Sequence, residues 1–313
     1  MRAKFIEYSH IAREFLYRFR YLKFSKNRCV RQLGIAMIDG RCWHGGMCDR
    51  FKSIISFYQY CESRGIEFKI NYTSPFNLAN YLLPNEIDWQ IDKEDLPDSI
   101  FSVRPFIGTS ECGERLYRLN TNKSILYYGN RDLAAFGKIP RTTEDWGVIF
   151  NRLFKPSPKL QHNINMLCKS IGCPYIAVVY RFQNLLGDFK EYDFAELDVK
   201  AKQKLIEKSL NTLNKIHEAS PLKLILVTSD SQTFLREAAK KDYTFVIPGT
   251  VVHMDNTKRD DNDTQMKSFL DFFMISKAEK VYSIVIGDMY PSEFPMYAAK
   301  INNVPFDRVT IPN

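Results

Sequence analysis

The sequence predicts an α/β protein built from two Rossmann-like domains that face each other across a cleft. Three observations predict it. Strand-like and helix-like runs alternate from residue 33 to residue 72, and the alternation resumes more cleanly from Tyr175 to Asn302. Between them lies a proline-bearing break, Lys155-Pro156-Ser157-Pro158. Alternating β and α segments build parallel sheets covered by helices, and ligands bind beyond the carboxyl ends of the strands. The expected organisation is a basic arm over 1–31, an N-terminal domain over 32–160 and a C-terminal domain over 161–313.

The arm carries nine Lys or Arg against Glu7 and Glu14, while the rest of the chain is nearly neutral. Phe5, Tyr8, Ala12, Phe15, Phe19 and Leu22 recur every three or four residues, which predicts an amphipathic helix. Such a stripe suits anionic lipid, where each nearby Lys or Arg adds about 1 kcal/mol. It equally suits a helix packed by that stripe on the protein's own core.

After the arm, LGIAMIDG (33–40) reads as a strand, followed by a glycine-bearing loop and a helix ending near Gly65. IEFKINYT is a second strand, and SPFNLANYLLP a short helix closed by Pro84. Residues 92–145 are less regular, with a strand-like SILYYGN. Residues 142–172 read as two helices parted at Pro156 and Pro158. Next come a buried strand from Tyr175 to Tyr180 and a helix from about 199 to 219. LKLILVTSD, YTFVIPG and KVYSIVIG read as strands; SQTFLREAAKK and TQMKSFLDFFMISKAE read as helices, and YPSEFPMYAAKIN as a loop and helix.

Composition narrows the class. With 313 residues, 45% hydrophobic and 14% aromatic, the chain can build a real core. No apolar run reaches the ~18 residues that span a bilayer, and Arg, Glu and Lys interrupt the N-terminus where a signal peptide would be apolar. The expected location is the cytoplasm, with a peripheral association at the inner face of the membrane through the arm. Seven cysteines without a C-x-x-C pair predict scattered reduced thiols. The net charge of +8 is concentrated in the arm, unlike that of a globally basic nucleic-acid binder, so no nucleic-acid partner is expected.

Candidate chemistry lies where strands end. Arg181 closes an apolar strand with a guanidinium that cannot be neutralised, so it either reaches solvent or fixes a bound anion. Ser229 and Asp230 follow the next strand, and Ser292 and Glu293 precede the last helix, where backbone N–H groups favour an anion.

YIAVVYRFQN resembles the strand-loop motif of the bacterial nodulation fucosyltransferases and their animal core fucosyltransferase relatives. LILVTSDSQTFLREA and FLDFFMISKAEKVYSIVIGDMYPSEFPMYAA are similar to later segments of that family. GGMCDRFKSIISFYQYCESRGIEFKI and SPFNLANYLLPNEIDW are similar to its opening and acceptor domain. The resemblance runs in order from about residue 33 to the end. It implies a GT-B fold and an inverting glycosyltransferase that needs no cofactor and no metal. The donor would be GDP-fucose, in the C-terminal domain, and the acceptor a glycan or lipid-linked saccharide, in the N-terminal domain. Carried over by position, Arg181 contacts the diphosphate, Ser292 a phosphate and Asp271 the guanine, while Asp230 is the second acid of a TDD segment. The chain departs at Val179, where the family has a guanine-contacting histidine, at Phe182 for a second arginine and at Ser229 for an aspartate. These departures leave a UDP-sugar transferase as an alternative.

Inverting transfer needs a base for the acceptor hydroxyl. Candidates are Asp188 and Glu191, in the loop after Arg181, with Asp49 and His44 from the N-terminal domain. Gly187-Asp188 equally marks an ordinary turn. Gly45, Gly46 and Arg50 form the candidate acceptor-side loop, although paired glycines also serve tight strand-to-helix turns. Asp261-Asn262-Asp263 mimics a metal-binding D-x-D, but acids before a helix cap its N-terminus. From another class, a non-catalytic membrane- or nucleic-acid-binding protein would use the arm as its working surface.

Overall fold

Apolar, β-branched and aromatic runs form two parallel sheets, and glycine and serine signals start and stop the helices that cover them. The computed structural model describes residues 2–25, 31–108, 113–133, 145–172, 174–188, 196–251 and 265–312, with side chains from Tyr8 onward. The chain divides into two compact units, Met1–Ala79 with Leu83–Lys155, and Asn80–Leu82 with Pro156–Asn313.

Unit 1 contains helices α1 (Arg2–Tyr21), α2 (Met47–Arg64), α3 (Gly113–Tyr117) and α4 (Trp146–Leu153). Its strands β1 (Leu33–Ile38), β2 (Glu67–Tyr72), β4 (Val103–Ile107) and β5 (Ser124–Tyr128) form a parallel sheet in the order β2-β1-β5-β4. The strand order reverses between β1 and β5, which opens a crevice at their carboxyl ends. Gly65, in the left-handed conformation, ends α2. On β1, a Cβ at Gly34 would come within 2.3 Å of Cys61 Sγ, so glycine lets α2 lie close against the sheet.

Unit 2 contains α5 (Pro158–Ile171), α6 (Val199–Glu218), α7 (Gln232–Ala238), α8 (Met266–Ile275) and α9 (Phe294–Ile301). Strands β7 (Tyr175–Tyr180), β8 (Leu224–Ser229), β9 (Thr244–Phe245), β10 (Lys280–Ile286) and β11 (Phe306–Ile311) form a parallel sheet in the order β11-β10-β7-β8-β9. Here the reversal lies between β7 and β10. Ser157 caps α5 from its side chain, with Pro158 in the first turn. Short strands β3 (Leu82–Pro84) and β6 (Phe154–Pro156) pair where the chain passes from one unit to the other. The α/β class with parallel sheets therefore holds.

Local differences from the sequence reading have physical reasons. Residues 74–84 form a 3₁₀ turn (Leu78–Asn80) and β3 instead of a helix, in a stretch bounded by Pro75 and Pro84. The strand expected over 243–249 is reduced to β9, because Pro248 and Gly249 follow closely.

The arm gives the clearest correction. Its helix forms, yet Tyr8, Ala12, Phe15 and Phe19 of the apolar stripe are exposed, as are Ile11 and Leu16. The core-facing side is instead His10, Glu14 and Tyr17, all buried, with Leu22 just beyond the helix. Both Glu14 oxygens bond Arg115, at 2.6 and 3.0 Å, and one also accepts the Ile107 N–H at 2.8 Å. Tyr17 and Leu22 join Leu33, Ile35, Met37 and Leu126 in the core over this face of the sheet. The helix is thus docked by its polar face, and its apolar face points to solvent.

Candidate functional site

In unit 2 the site grows from the ends of β7, β8 and β10. Asp230, directly after β8, is buried. It accepts the backbone N–H groups of Phe182 at 2.9 Å and Gln183 at 2.7 Å, and lies 3.3 Å from Arg181 Nη1. Burial is the largest influence on this carboxyl and pushes its pKa up, opposed by Arg181 and by the two N–H groups. Gln183 has φ +52°, a conformation few non-glycine residues adopt, and it turns the backbone so that both N–H groups meet Asp230.

Arg181 is held at the point where the strand order reverses. Its carbonyl accepts the Tyr290 N–H at 3.3 Å, which ties β7 to the loop before α9. Within that loop, the Ser292 N–H bonds the Tyr290 carbonyl and Ser292 Oγ accepts the Phe294 N–H. Glu293 occupies the N-cap position of α9 and is exposed. Ser229 Oγ donates to Asp230 and accepts the Ser231 N–H. The structure therefore gathers Arg181, Ser229, Asp230, Ser292 and Glu293 around adjacent strand ends.

Other residues of the sequence reading lie differently. Asp271, on α8, is buried with both oxygens 2.6 Å from Lys267 Nζ, one helical turn away. Asp188 Oδ2 accepts Ser231 Oγ at 3.0 Å and the Thr233 N–H at 2.6 Å, so it supports the start of α7 as well as following β7. Glu191 and the Asp261-Asn262-Asp263 cluster fall outside the described residues. No grouping of three or more His, Cys, Asp or Glu suited to a metal occurs among the described residues.

In unit 1 the loop after β1 carries its own polar network. Gly45 has φ +73°, and a Cβ there would come within 2.7 Å of Asp49 Oδ2, so glycine is required for the turn into α2. Gly46 is the N-cap residue of α2. Asp49 pairs with Lys52 at 2.7 Å. Arg50 is buried, bonding the Gly45 and Ser74 carbonyls and the Tyr72 hydroxyl. His44 is buried against Tyr128, and its Nε2 accepts the Gly40 N–H at 3.2 Å. Burial, with Arg50 nearby, lowers the His44 pKa to about 3, so the ring is neutral at physiological pH.

Sequence reasoning missed the centre of this network. Asp39, directly after β1, accepts from the Tyr128 hydroxyl and the Arg41 N–H, both at 3.0 Å, and forms an ion pair with Arg41 Nε at 3.3 Å. Tyr128 and Tyr17 share a hydrogen bond of 2.7 Å between hydroxyls, and Arg41 Nη1 donates to Tyr17 at 2.9 Å. Burial raises the pKa of both phenols, which keeps them protonated. The available signal was an aspartate at the end of the first strand. Its partners, on α1 and β5, could not be read from spacing. A cavity of about 370 Å³ opens beside this network, lined by Arg13, Tyr17, Arg20, Arg41, Trp43 and Asn130 among others.

No protein-family model and no curated protein matches the chain by sequence. Solved structures do match it. NodZ alpha-1,6-fucosyltransferase soaked with GDP-fucose is 12% identical, with 87% of this chain and 92% of that one covered and a TM-score of 0.57. Fucosyltransferase NodZ from Bradyrhizobium is 13% identical, with 86% and 92% covered and a TM-score of 0.56. An Arabidopsis thaliana FUT1 mutant in complex with GDP is 9% identical, with 97% and 75% covered and a TM-score of 0.59. The chain shares the fold of these fucosyltransferases.

Proposed function

We propose that the chain is an inverting glycosyltransferase that transfers fucose from GDP-fucose to a hydroxyl of a glycan or lipid-linked saccharide. The observation that carries this reading is Arg181, a fixed cation at the strand reversal of unit 2, braced by buried Asp230 and joined to the loop before α9. A guanidinium fork suits diphosphate oxygens, and the adjoining helix start favours an anion. The shared fold with structures that hold GDP or GDP-fucose supports the choice of donor.

In this reading the acceptor hydroxyl attacks the anomeric carbon, the bond to the diphosphate breaks, and a carboxylate takes the proton. Arg181 stabilises charge developing on the leaving diphosphate, with no metal required. Asp188 is the proposed base. The neutral, weakly basic ring of His44 suits that role poorly, and Asp49 is engaged with Lys52. Asp188→Asn separates the roles, because an amide oxygen can still accept the Thr233 N–H but cannot take a proton. Turnover should fall by about a hundredfold or more while nucleotide binding persists.

A melting-shift panel with GDP, UDP, CDP and ADP, with and without magnesium, tests the donor. GDP at about 100 times its Kd should stabilise by about 2.7 kcal/mol. The shift should be independent of magnesium, and should be lost in Arg181→Ala and reduced in Arg181→Lys, which keeps the charge without the fork. No shift with any nucleotide would overturn the transferase reading. A shift with UDP alone would favour another nucleotide sugar, the alternative suggested by Val179, which is buried on β7 where a guanine-reading histidine would stand.

A further inference from the structure

The outward apolar face of α1 and the cavity beneath that helix are adjacent. A helix turns about 100° per residue, so Ile11, Phe15, Phe19 and Leu16 occupy one side and Tyr17 the other. Arg13 and Arg20 fall between these two sides, both exposed, and both line the cavity together with Leu16 and Tyr17. From solvent toward the sheet, the order is apolar stripe, two guanidinium groups, then an aromatic and hydroxyl-lined pocket.

The pocket is electropositive. Arg41 and Arg20 lie over the Tyr21 ring, at 4.8 and 5.3 Å from its centroid, so their cations converge there. Of the acidic residues described at this site, Asp39 is buried and already shared between Arg41 and Tyr128, and Glu14 is taken up by Arg115. Neither Arg13 nor Arg20 forms an ion pair among the described residues. Trp43, more than half exposed, offers a flat face on which a sugar ring can stack. Asn130 is buried in the lining, and its Oδ1 has no hydrogen-bond partner among the described residues, which leaves an acceptor for a hydroxyl.

We propose that this cavity and the face of α1 above it bind an amphiphile with a phosphate or diphosphate between an apolar chain and a saccharide. The apolar chain lies along Ile11, Phe15 and Phe19, Arg13 and Arg20 hold the anion, and the sugar enters beside Trp43 and Asn130. This deepens the transferase reading by naming the acceptor class, and rests on it for the identity of the ligand as acceptor. Neither a bare anion site nor a plain lipid-binding helix accounts for stripe, arginines and pocket in this order.

The test uses the full chain and Trp43 fluorescence, with Trp43→Phe to show that the signal arises there. Probes are farnesyl diphosphate, farnesol, inorganic diphosphate, and vesicles of phosphatidylglycerol in phosphatidylcholine. Farnesyl diphosphate should bind saturably, about tenfold or more tighter than farnesol or inorganic diphosphate, and lose about tenfold in Arg13→Ala/Arg20→Ala. Phe15→Ser/Phe19→Ser should weaken farnesyl diphosphate and leave inorganic diphosphate unchanged. These side chains are exposed, so the variants should fold, and the GDP melting shift serves as their control. No saturable binding, or binding indifferent to the two arginines, would overturn the proposal. Equal affinity for inorganic diphosphate would reduce the site to an anion site. Vesicle binding without farnesyl diphosphate binding would make the helix a plain lipid surface. Failure of this test with the GDP shift intact would spare the transferase reading, and the reverse result would spare the subsite.

Discussion

Each unit ends a central parallel strand with a buried aspartate at the reversal of its sheet or beside it, yet the two are held in different ways. Asp230 in unit 2 is gripped by two backbone N–H groups and a guanidinium, all from residues 181–183 after the neighbouring strand. Asp39 in unit 1 is held by a phenol from β5 and by Arg41, with a second phenol from α1 behind them. Backbone donors cannot rotate away, so unit 2 fixes its cation rigidly. Unit 1 gives its aspartate one backbone donor, the Arg41 N–H, and otherwise relies on side chains, backed by a phenol from a helix outside the alternating β-α pattern. The same electrostatic device is thus held by two backbone donors in one sheet and by one backbone donor with distant side chains in the other.

Mutation can break this comparison at several points. The largest effect is expected for Asp230→Ala, which removes the buried carboxylate that Arg181 and two backbone N–H groups face. A loss of roughly 4–5 kcal/mol is expected in urea unfolding. A loss no greater than that of Asp39→Ala would refute the distinction drawn above. Glu14→Ala, which leaves the mostly buried Arg115 without its carboxylate, should cost roughly 3 kcal/mol and release amide protons of α1 to exchange while those of unit 2 stay protected.

Acid should act chiefly on unit 1. The folded pKa of His44, about 3, lies below its unfolded value near 6.5, so the unfolded chain takes the proton first as pH falls. The stability His44 contributes is complete above about pH 6.5. Below that it is lost at about 1.4 kcal/mol per pH unit, or roughly 2 kcal/mol by pH 5. His44→Gln should flatten this dependence in unfolding titrations. The smallest effect is expected for Tyr17→Phe, about 1–2 kcal/mol by urea unfolding, since its hydrogen bonds with Tyr128 and Arg41 are lost while Asp39 keeps its own partners.

How far the molecule was legible in its sequence follows the same division. The strands β1, β7, β8 and β10 are buried runs whose composition announces them, and that the residues after β7 and β8 lie together could be expected from position alone. β4 was hidden because it contains Arg104 and Pro105, tolerated there because it is an edge strand. β11 was hidden because it too lies at an edge and alternates weakly, with Asp307, Arg308 and Thr310 exposed. The Asp39 network was hidden for a different reason. Its members are separated by up to 111 residues, and no local pattern encodes a tyrosine on one helix meeting a tyrosine on a distant strand. Helix periodicity located the apolar stripe of α1 correctly but could not say which face would dock, because a buried Glu14 is intelligible only with Arg115 in place.

The bond between Glu14 and Arg115 also imposes a timetable. The two residues are 101 positions apart, so at about 5–20 residues per second Arg115 is made roughly 5–20 seconds after Glu14. Throughout that interval Glu14 lacks its Arg115 partner and the sheet on which the helix lies is incomplete, while the apolar side of the helix is already made. A helix made before its partner is thus late to settle, and during the wait any nearby apolar surface competes with the protein's own sheet for it.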